Sequence, residues 1–340
     1  MQIIKIVAFA ITAFGLSSAL TGWICRHALS NSLLDVPNDR SSHKIPTPRG
    51  GGLAIVVVFL LGLPLLSINA AIADNLFWAL LGSGALVAAV GFIDDRQSVA
   101  ASYRLLVHFA AAAWALVCLG GIPAIVIFGW PIGSAWVLFP LAMVYLVWLL
   151  NLYNFMDGID GLAGIEAISV CLGGIIVAFI TDNGQFWGLV LLATVTAGFL
   201  VWNFPPAKIF MGDVGSGFMG MVLAIFSLQA ASFSAASFSA WLILLGVFIV
   251  DASWTLARRF LQGEKVYQAH RSHAYQHAAS HYQSHRQVTL AVAAINLCWL
   301  LPLALLVAMQ YLDGLVGLLI AYCPLLLLVM KFKAGIKCEF

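Results

Sequence analysis

The stretch NLYNFMDGIDGLAG, residues 151–164, sets Asp157 and Asp160 three apart and Asn154 three before the first of them. A capped helix start accounts for one such polar side chain, not for three. Gly158 and Gly161 let the backbone turn tightly between the two carboxylates. GFIDDRQSV adds the adjacent pair Asp94 and Asp95. Their mutual repulsion is tolerable beside a cation, either Arg96 or a metal ion.

WNFPPAKIFMGDVGSGFMG places Asn203, Lys208 and Asp213 before a glycine-rich entry into an apolar run. The letters GSGFMG satisfy the dinucleotide pattern G-x-G-x-x-G, but no βαβ unit surrounds them. The expectation is a tight turn whose N–H groups and helix N-terminus face an anion, beside a carboxylate free to hold Mg2+. Glycine-mediated helix packing is the plainer account of the same letters. SSHKIPTPRGGG offers His43, Lys44 and Arg49 around two prolines. Lys44 would serve there as a point charge on a phosphate, or the loop is a basic anchor at a membrane surface.

Residues 258–286, RRFLQGEKVYQAHRSHAYQHAASHYQSHR, hold five histidines. His273, His277, His281 and His285 recur every four residues, which on a helix makes one stripe and suits an amphipathic membrane-surface helix. No cysteine or acid stands close enough to complete a zinc site from that stripe. His270, Arg271 and His273 follow Arg258, Arg259 and Lys265, and look like a phosphate cradle.

The elements that must position these residues are apolar. The chain is 62% hydrophobic and 9% charged, with mean hydropathy +1.00, whereas soluble domains carry roughly a quarter charged residues. Runs long enough to cross about 30 Å of hydrocarbon occur at 2–24, 50–68, 75–93, 103–120, 134–152, 161–181, 186–203, 214–232, 237–257, 288–309 and 311–331. The expected fold is an all-α integral membrane protein, one polytopic domain over residues 1–340 with 10–11 transmembrane helices. The first run lacks a small-residue cleavage site and reads as an uncleaved span. The six cysteines show no CxxC spacing and read as small apolar packers.

With eleven spans, loops 25–49, 94–102, 153–160, 204–213 and 258–287 and the tail after 331 share one face. That face holds 15 of the 16 Lys and Arg residues, so the positive-inside rule makes it cytoplasmic. It also collects Asp94, Asp95, Asp157, Asp160, Asp213 and seven of the eight histidines, while His108 lies inside a span. A net charge of +2 gives no reason to expect a nucleic-acid partner. Acids and bases at one membrane surface suit phosphoryl transfer between a water-soluble donor and a lipid-borne acceptor. Such a reaction needs a divalent metal, cations on the phosphates and in-line placement. Mg2+ asks for one or two carboxylates, and Asp213 alone could anchor it.

These segments, in this order from about residue 35 to 281, resemble the polyprenyl-phosphate N-acetylhexosamine-1-phosphate transferases, which include MraY- and WecA-type enzymes. HRSHAYQ together with DVPNDRSSHKIPTPRGGG looks most like the WbpL-type branch, which initiates O-antigen or outer-core synthesis. The resemblance implies transfer of a sugar-1-phosphate from a UDP-N-acetylhexosamine to undecaprenyl phosphate, with release of UMP and with Mg2+ (Mn2+ as its substitute). It implies a bacterial inner-membrane location. The paired aspartates fall on Asp94 and Asp95, one of them a base toward the lipid phosphate. The N-x-x-D-G-x-D-G-L signature falls on Asn154, Asp157 and Asp160, the F-M-G-D metal aspartate on Asp213, the upstream Asn on Asn203, and the phosphate lysine on Lys44. Where relatives carry a histidine triplet or H-I-H-H, this chain has HRSH, so the role is shared among His270, His273 and Arg271. That departure argues against a muramoyl-pentapeptide substrate.

A transporter is the rival from another class. It draws on Asp251, about seven residues inside the span that ends near Arg258. Transporters, however, gather polar groups at the midplane, and these gather at one surface. A CDP-alcohol phosphotransferase is excluded by the absence of its D-G-x-x-A-R pattern, since DGIDGLAG continues with Ile165 and Glu166. Small-residue faces such as GFMGM suit packing within the bundle or between the protomers of a homodimer.

Overall fold

The computed structural model describes all residues except 1, 31–33, 36–45, 122–124, 128–129, 182–183, 185, 265–269 and 337–340. Lys44 therefore lies outside the described residues. The apolar runs fold as helices because a backbone in lipid must satisfy its own N–H and C=O groups. In order these are α1 (Gln2–Ser30), α2 (Gly52–Ile68), α3 (Asp74–Asp94), α4 (Ala101–Leu119), α5 (Ala135–Met156), α6 (Leu162–Ile180) and α7 (Trp187–Asn203). There follow α8 (Asp213–Ala231), α9 (Ala235–Leu244), α10 (Gly246–Leu261), α11 (Ala274–Tyr282), α12 (His285–Ile295), α13 (Leu301–Ala308) and α14 (Gly314–Lys331). A π-helical turn, Asn296–Leu300, joins α12 to α13.

Each expected run falls on one helix or on consecutive helices. Among the described residues, eight helices are long and apolar enough to cross a membrane, or nine if α9 and α10, bent by 71° at Leu245, count as one span. The two 17-residue helices α2 and α7 fall short of that measure. All eleven runs are thus helical, but length and composition support only eight or nine crossings. Among the described residues, strands form two short antiparallel ladders, β1 (Leu34–Asp35) with β2 (Thr47–Pro48) and β3 (Ile125–Ile127) with β4 (Trp130–Ile132). Cys25 and Cys171 are buried as expected of packers, but Cys298 and Cys323 face outward.

The centre of the bundle is α8. Of its most apolar window, 89% is buried, against 22% for α1 and for α14. A helix apolar on every side belongs in the middle, and α2, α3, α5 and α9 pack around it. Its N-terminal residue, Asp213, is thereby held at the middle of one end of the bundle.

Candidate active site

The chain brings Asp213 its neighbours from three distant segments. The end of β2 and the turn that follows it run beside residues 209–212, with Phe210 N donating to Pro48 O, Gly51 N to Phe210 O and Gly52 N to Met211 O, all at 2.8–2.9 Å. This places Arg49 over two carboxylates, with Nε 3.0 Å from Asp95 Oδ1 and Nη2 2.5 Å from Asp213 Oδ1. Arg104, in the first turn of α4, reaches Asp94 Oδ2 at 2.5 Å and Asp213 Oδ2 at 3.3 Å. Two arginines therefore clamp three aspartates.

The cation expected beside Asp94 and Asp95 is thus not Arg96. Its guanidinium lies 4.0 Å over the Phe92 ring instead, since the helix ends between them and turns it outward. The two paired aspartates also do different work. Asp95 accepts the N–H groups of Asp213 (2.9 Å) and Val214 (3.1 Å), so it caps α8 from another helix. Gly212, at φ 79°, permits this approach, because a Cβ there would stand 2.6 Å from Asp95 Oδ2. The helix N-terminus expected to face an external anion is therefore occupied by the chain's own carboxylate. The following glycines serve packing, with Gly215 lying against Gly52 Cα. Asp94 instead accepts Val99 N (2.7 Å) and lines a pocket of about 160 Å³ with Arg104, His108, Asn151, Asn154 and Asp213. In that pocket His108 Nδ1 is buried without a partner among the described residues.

The DGID turn closes the other side. Asn154 Oδ1 accepts Ser216 Oγ (2.6 Å), tying the turn to α8. Asp157 keeps some surface but is crowded by atoms and by the charges of Asp213, Asp95 and Asp160. Burial first, then those carboxylates, push it well above the usual carboxylate range, and Arg49 opposes the shift. Asp160 points away, accepting Ala207 N (3.0 Å) and lying 3.2 Å from His285 Nδ1. Asn203 is 3% exposed, and its amide bridges Gly161 N (2.9 Å) to Ile209 O (2.9 Å). Both its ends are engaged with backbone, so it fixes the two loops against each other.

The histidine stripe does not form. His273 precedes α11, Gln283 turns left-handed at φ 50°, and Ser284 Oγ accepts Gln287 N to start α12. The four histidines reach four different partners: Asp251, Ile336 O, the ring of Phe332 and Asp160. His270 and His273 stack at 4.9 Å, and both rings lie against Phe155, between Asn154 and Asp157. Burial, with His273 and Arg259 nearby, lowers His270 to about 3. Arg271 reaches Ser280 Oγ at 3.1 Å. Tyr275 Oη donates to Phe155 O at 3.0 Å and fastens the HRSH segment to the DGID turn.

Arg49, Arg104 and Asp251 complete this face without having been singled out as site residues. Arg104 carried a signal, being a fixed charge one turn inside an apolar run beside the Asp pair. Asp251 was noticed for its depth in the span, but its two oxygens are taken by four protein donors. The cavity that it lines among the described residues is walled mainly by apolar side chains such as Val247, Val292 and Leu325.

A model of glycosyl transferase family 4 matches residues 77–231. The chain is 29% identical over 306 residues to a probable undecaprenyl-phosphate N-acetylglucosaminyl 1-phosphate transferase of Bacillus subtilis, covering 87% of this chain and 83% of that protein. It is 30% identical over 327 residues to a decaprenyl-phosphate N-acetylglucosaminephosphotransferase of Mycolicibacterium smegmatis, covering 86% and 78%. The counterpart of the same description in Mycobacterium leprae is 31% identical over 329 residues, covering 86% and 80%.

Proposed function

This chain belongs to glycosyl transferase family 4, among the polyprenyl-phosphate hexosamine-phosphate transferases, and on that premise we propose the reaction it carries out. It is a multi-pass membrane enzyme that transfers a phosphosugar to a polyprenyl phosphate. In finer terms, the donor is a UDP-N-acetylhexosamine, N-acetylglucosamine or a 6-deoxy relative, and the acceptor is undecaprenyl phosphate. An oxygen of the lipid phosphate attacks the β-phosphorus, the bond to the α-phosphate's bridging oxygen breaks, and UMP leaves. The product starts an O-antigen, lipopolysaccharide or related envelope glycan at the cytoplasmic face of the inner membrane.

The observation that carries this reading is the clamp of Arg49 and Arg104 on Asp94, Asp95 and Asp213, at the end of the most buried helix. Cations and carboxylates alternating at one membrane surface match the charge pattern of phosphoryl transfer. The residues fit Mg2+. No group of three or more His, Cys, Asp or Glu ligands is assembled among the described residues, and Mg2+ bound with substrate phosphates needs only one or two carboxylates. Asp213 would hold it, releasing part of its arginine contact. When bound, the metal would neutralise charge on the transferring phosphates.

The chain's own groups supply the rest. Arg104, lining the pocket and held in place by Asp94, orients the lipid phosphate by its guanidinium donors. The acceptor is largely ionised at neutral pH, its second pKa being near 6, so orientation matters more than proton removal. Asp157 keeps its proton to higher pH than an ordinary carboxyl and can donate it in a hydrogen bond to a phosphate oxygen. Asn154 and the His270–Arg271–His273 segment border the donor side.

The test is UMP release by the purified protein with undecaprenyl phosphate, Mg2+ and a panel of UDP-N-acetylhexosamines. Release that needs both lipid and metal, with a new lipid-linked sugar, is the expected result. A folded protein that leaves every donor intact contradicts the proposal.

A further inference from the structure

The HRSH segment, residues 270–273, belongs to neither helix nor strand, so no ladder of its own holds its backbone. Its last residue meets Asp251 and the start of α11. Its middle is held from another quarter. After Lys331 the chain stops α14 with a Schellman turn. Lys333 adopts φ 53°, and Lys333 N and Ala334 N donate back to Met330 O (3.0 Å) and Val329 O (2.9 Å). With those carbonyls satisfied, the next N–H, that of Gly335, donates outward to Ser272 O at 2.7 Å.

Three further contacts fix the turn. Arg258 Nη1 donates to Ala334 O (3.2 Å), His277 Nε2 donates to Ile336 O (3.0 Å), and the Phe332 ring lies against His281 and Tyr282. Ala334 is fully buried. Arg258, expected from the sequence in a phosphate cradle, thus serves this turn. Gly335 has φ 84°, and a Cβ there would stand 2.9 Å from Arg258 Cβ and Cδ. Backbone and space both call for glycine.

We propose that Gly335 is a positioning residue for donor binding: through Ser272 O, the turn after α14 holds His270 and Arg271 at the donor side of the site. This rests on the transferase reading given above. Ser272 directly follows Arg271, and its Oγ lies 3.0 Å from His270 Nδ1. Ser272 is buried while His270 and Arg271 keep some surface, so the tie sits beneath the two more open side chains. The His270 ring lies 6.4 Å from that of Phe155, which stands between Asn154 and Asp157. The pocket around Arg104 and Asp94, assigned to the acceptor, includes no residue of 270–273 or 332–336 in its lining. The turn should therefore act on one substrate and not on the other.

A turn that merely stabilised the fold would lower the melting temperature or the active fraction and leave the two KM values in proportion. Gly335→Ala, in the full-length protein in lipid nanodiscs, separates the two roles. Its amides over 270–276 are expected to exchange hydrogen roughly tenfold faster than in the wild type. Its KM for the UDP-N-acetylhexosamine is expected to rise about tenfold, with the KM for undecaprenyl phosphate within about twofold. Arg258→Met keeps the stem beside Gly335 but not the donor to Ala334 O. It should move the exchange rate and the donor KM the same way by about threefold, and it decides the matter if the alanine variant does not fold. Exchange over 270–276 as slow as in the wild type overturns the proposal. A rise in both KM values by the same factor, or in neither, overturns it too. A wild type without turnover would count against the transferase reading, and the exchange rates would still decide whether Gly335 holds the HRSH segment.

Discussion

Asp213, at the head of α8, is held by two arginines whose side chains are 40% and 32% exposed, whereas Asp251, inside α10, is held by four hydrogen bonds in a corner 5% exposed. The first arrangement is exchangeable. Solvent reaches the arginines, and a metal ion or a phosphate can take over either side of each ion pair. The second is closed, since every oxygen of Asp251 serves a fixed protein donor. On the proposed reading the first carboxylate can exchange its partners during the reaction, while the second stays bonded to the start of α11.

If that contrast is right, removing a cation from the exchangeable side should affect substrate binding more than folding. Arg104→Ala is expected to raise the KM for undecaprenyl phosphate about 10- to 100-fold, the scale of one or two charge-assisted hydrogen bonds. Its melting temperature should stay near that of the wild type. Steady-state kinetics over a lipid titration, beside a thermal melt, would read both. An unchanged KM would remove Arg104 from the acceptor side.

The architectural side should behave in the opposite way. Asn203→Ala strands Gly161 N–H and Ile209 C=O in a buried place, for an expected loss of roughly 2 kcal/mol. Asn203→Asp keeps the acceptor for Gly161 but sets its second carboxylate oxygen against Ile209 C=O in a buried place, so it should lose at least as much. Chemical unfolding in detergent measures both, and a wild-type stability for Asn203→Ala would mean the bridge matters little.

Near neutral pH the histidine side shows no effect, and its contribution appears only on acidification. His270 sits near 3 when folded and near 6.5 in an ordinary setting. Between those values the unfolded chain binds the extra proton, so stability should fall as pH drops from about 6.5 toward 3. Above 6.5 both states are neutral there and His270 contributes no slope. Melts at graded pH should show a shallower acid loss for His270→Gln, and the same slope in both would contradict this assignment.

The helices were legible because lipid-length apolar runs leave little else for the backbone to do. Asp94, Asp95, Asp157 and Asp213 were legible as acids at the ends of those runs, and the fold gathers them. Their partners were not. Arg49 and Arg104 come from 46 residues before Asp95 and 9 after it, measured along the sequence, and only the packing of α2, α4 and α8 makes them neighbours. The histidine period misled because Gln283 and Ser284 break the helix between His281 and His285. The Ser284-to-Gln287 spacing was the available signal for a new helix start. Asp251 stood out by depth alone, and its purpose depends on a helix start 23 residues later.

The most direct measurement makes the same substitution at both anchors and follows UMP release together with thermal stability. Asp213→Asn is expected to lower turnover roughly a thousandfold, the several kcal/mol a catalytic metal supplies, while melting near the wild-type temperature. Asp251→Asn is expected to lose turnover and melting temperature together. Asp213→Asn turning over at the wild-type rate would contradict the claim that the arginine-clamped carboxylate is the centre of the reaction.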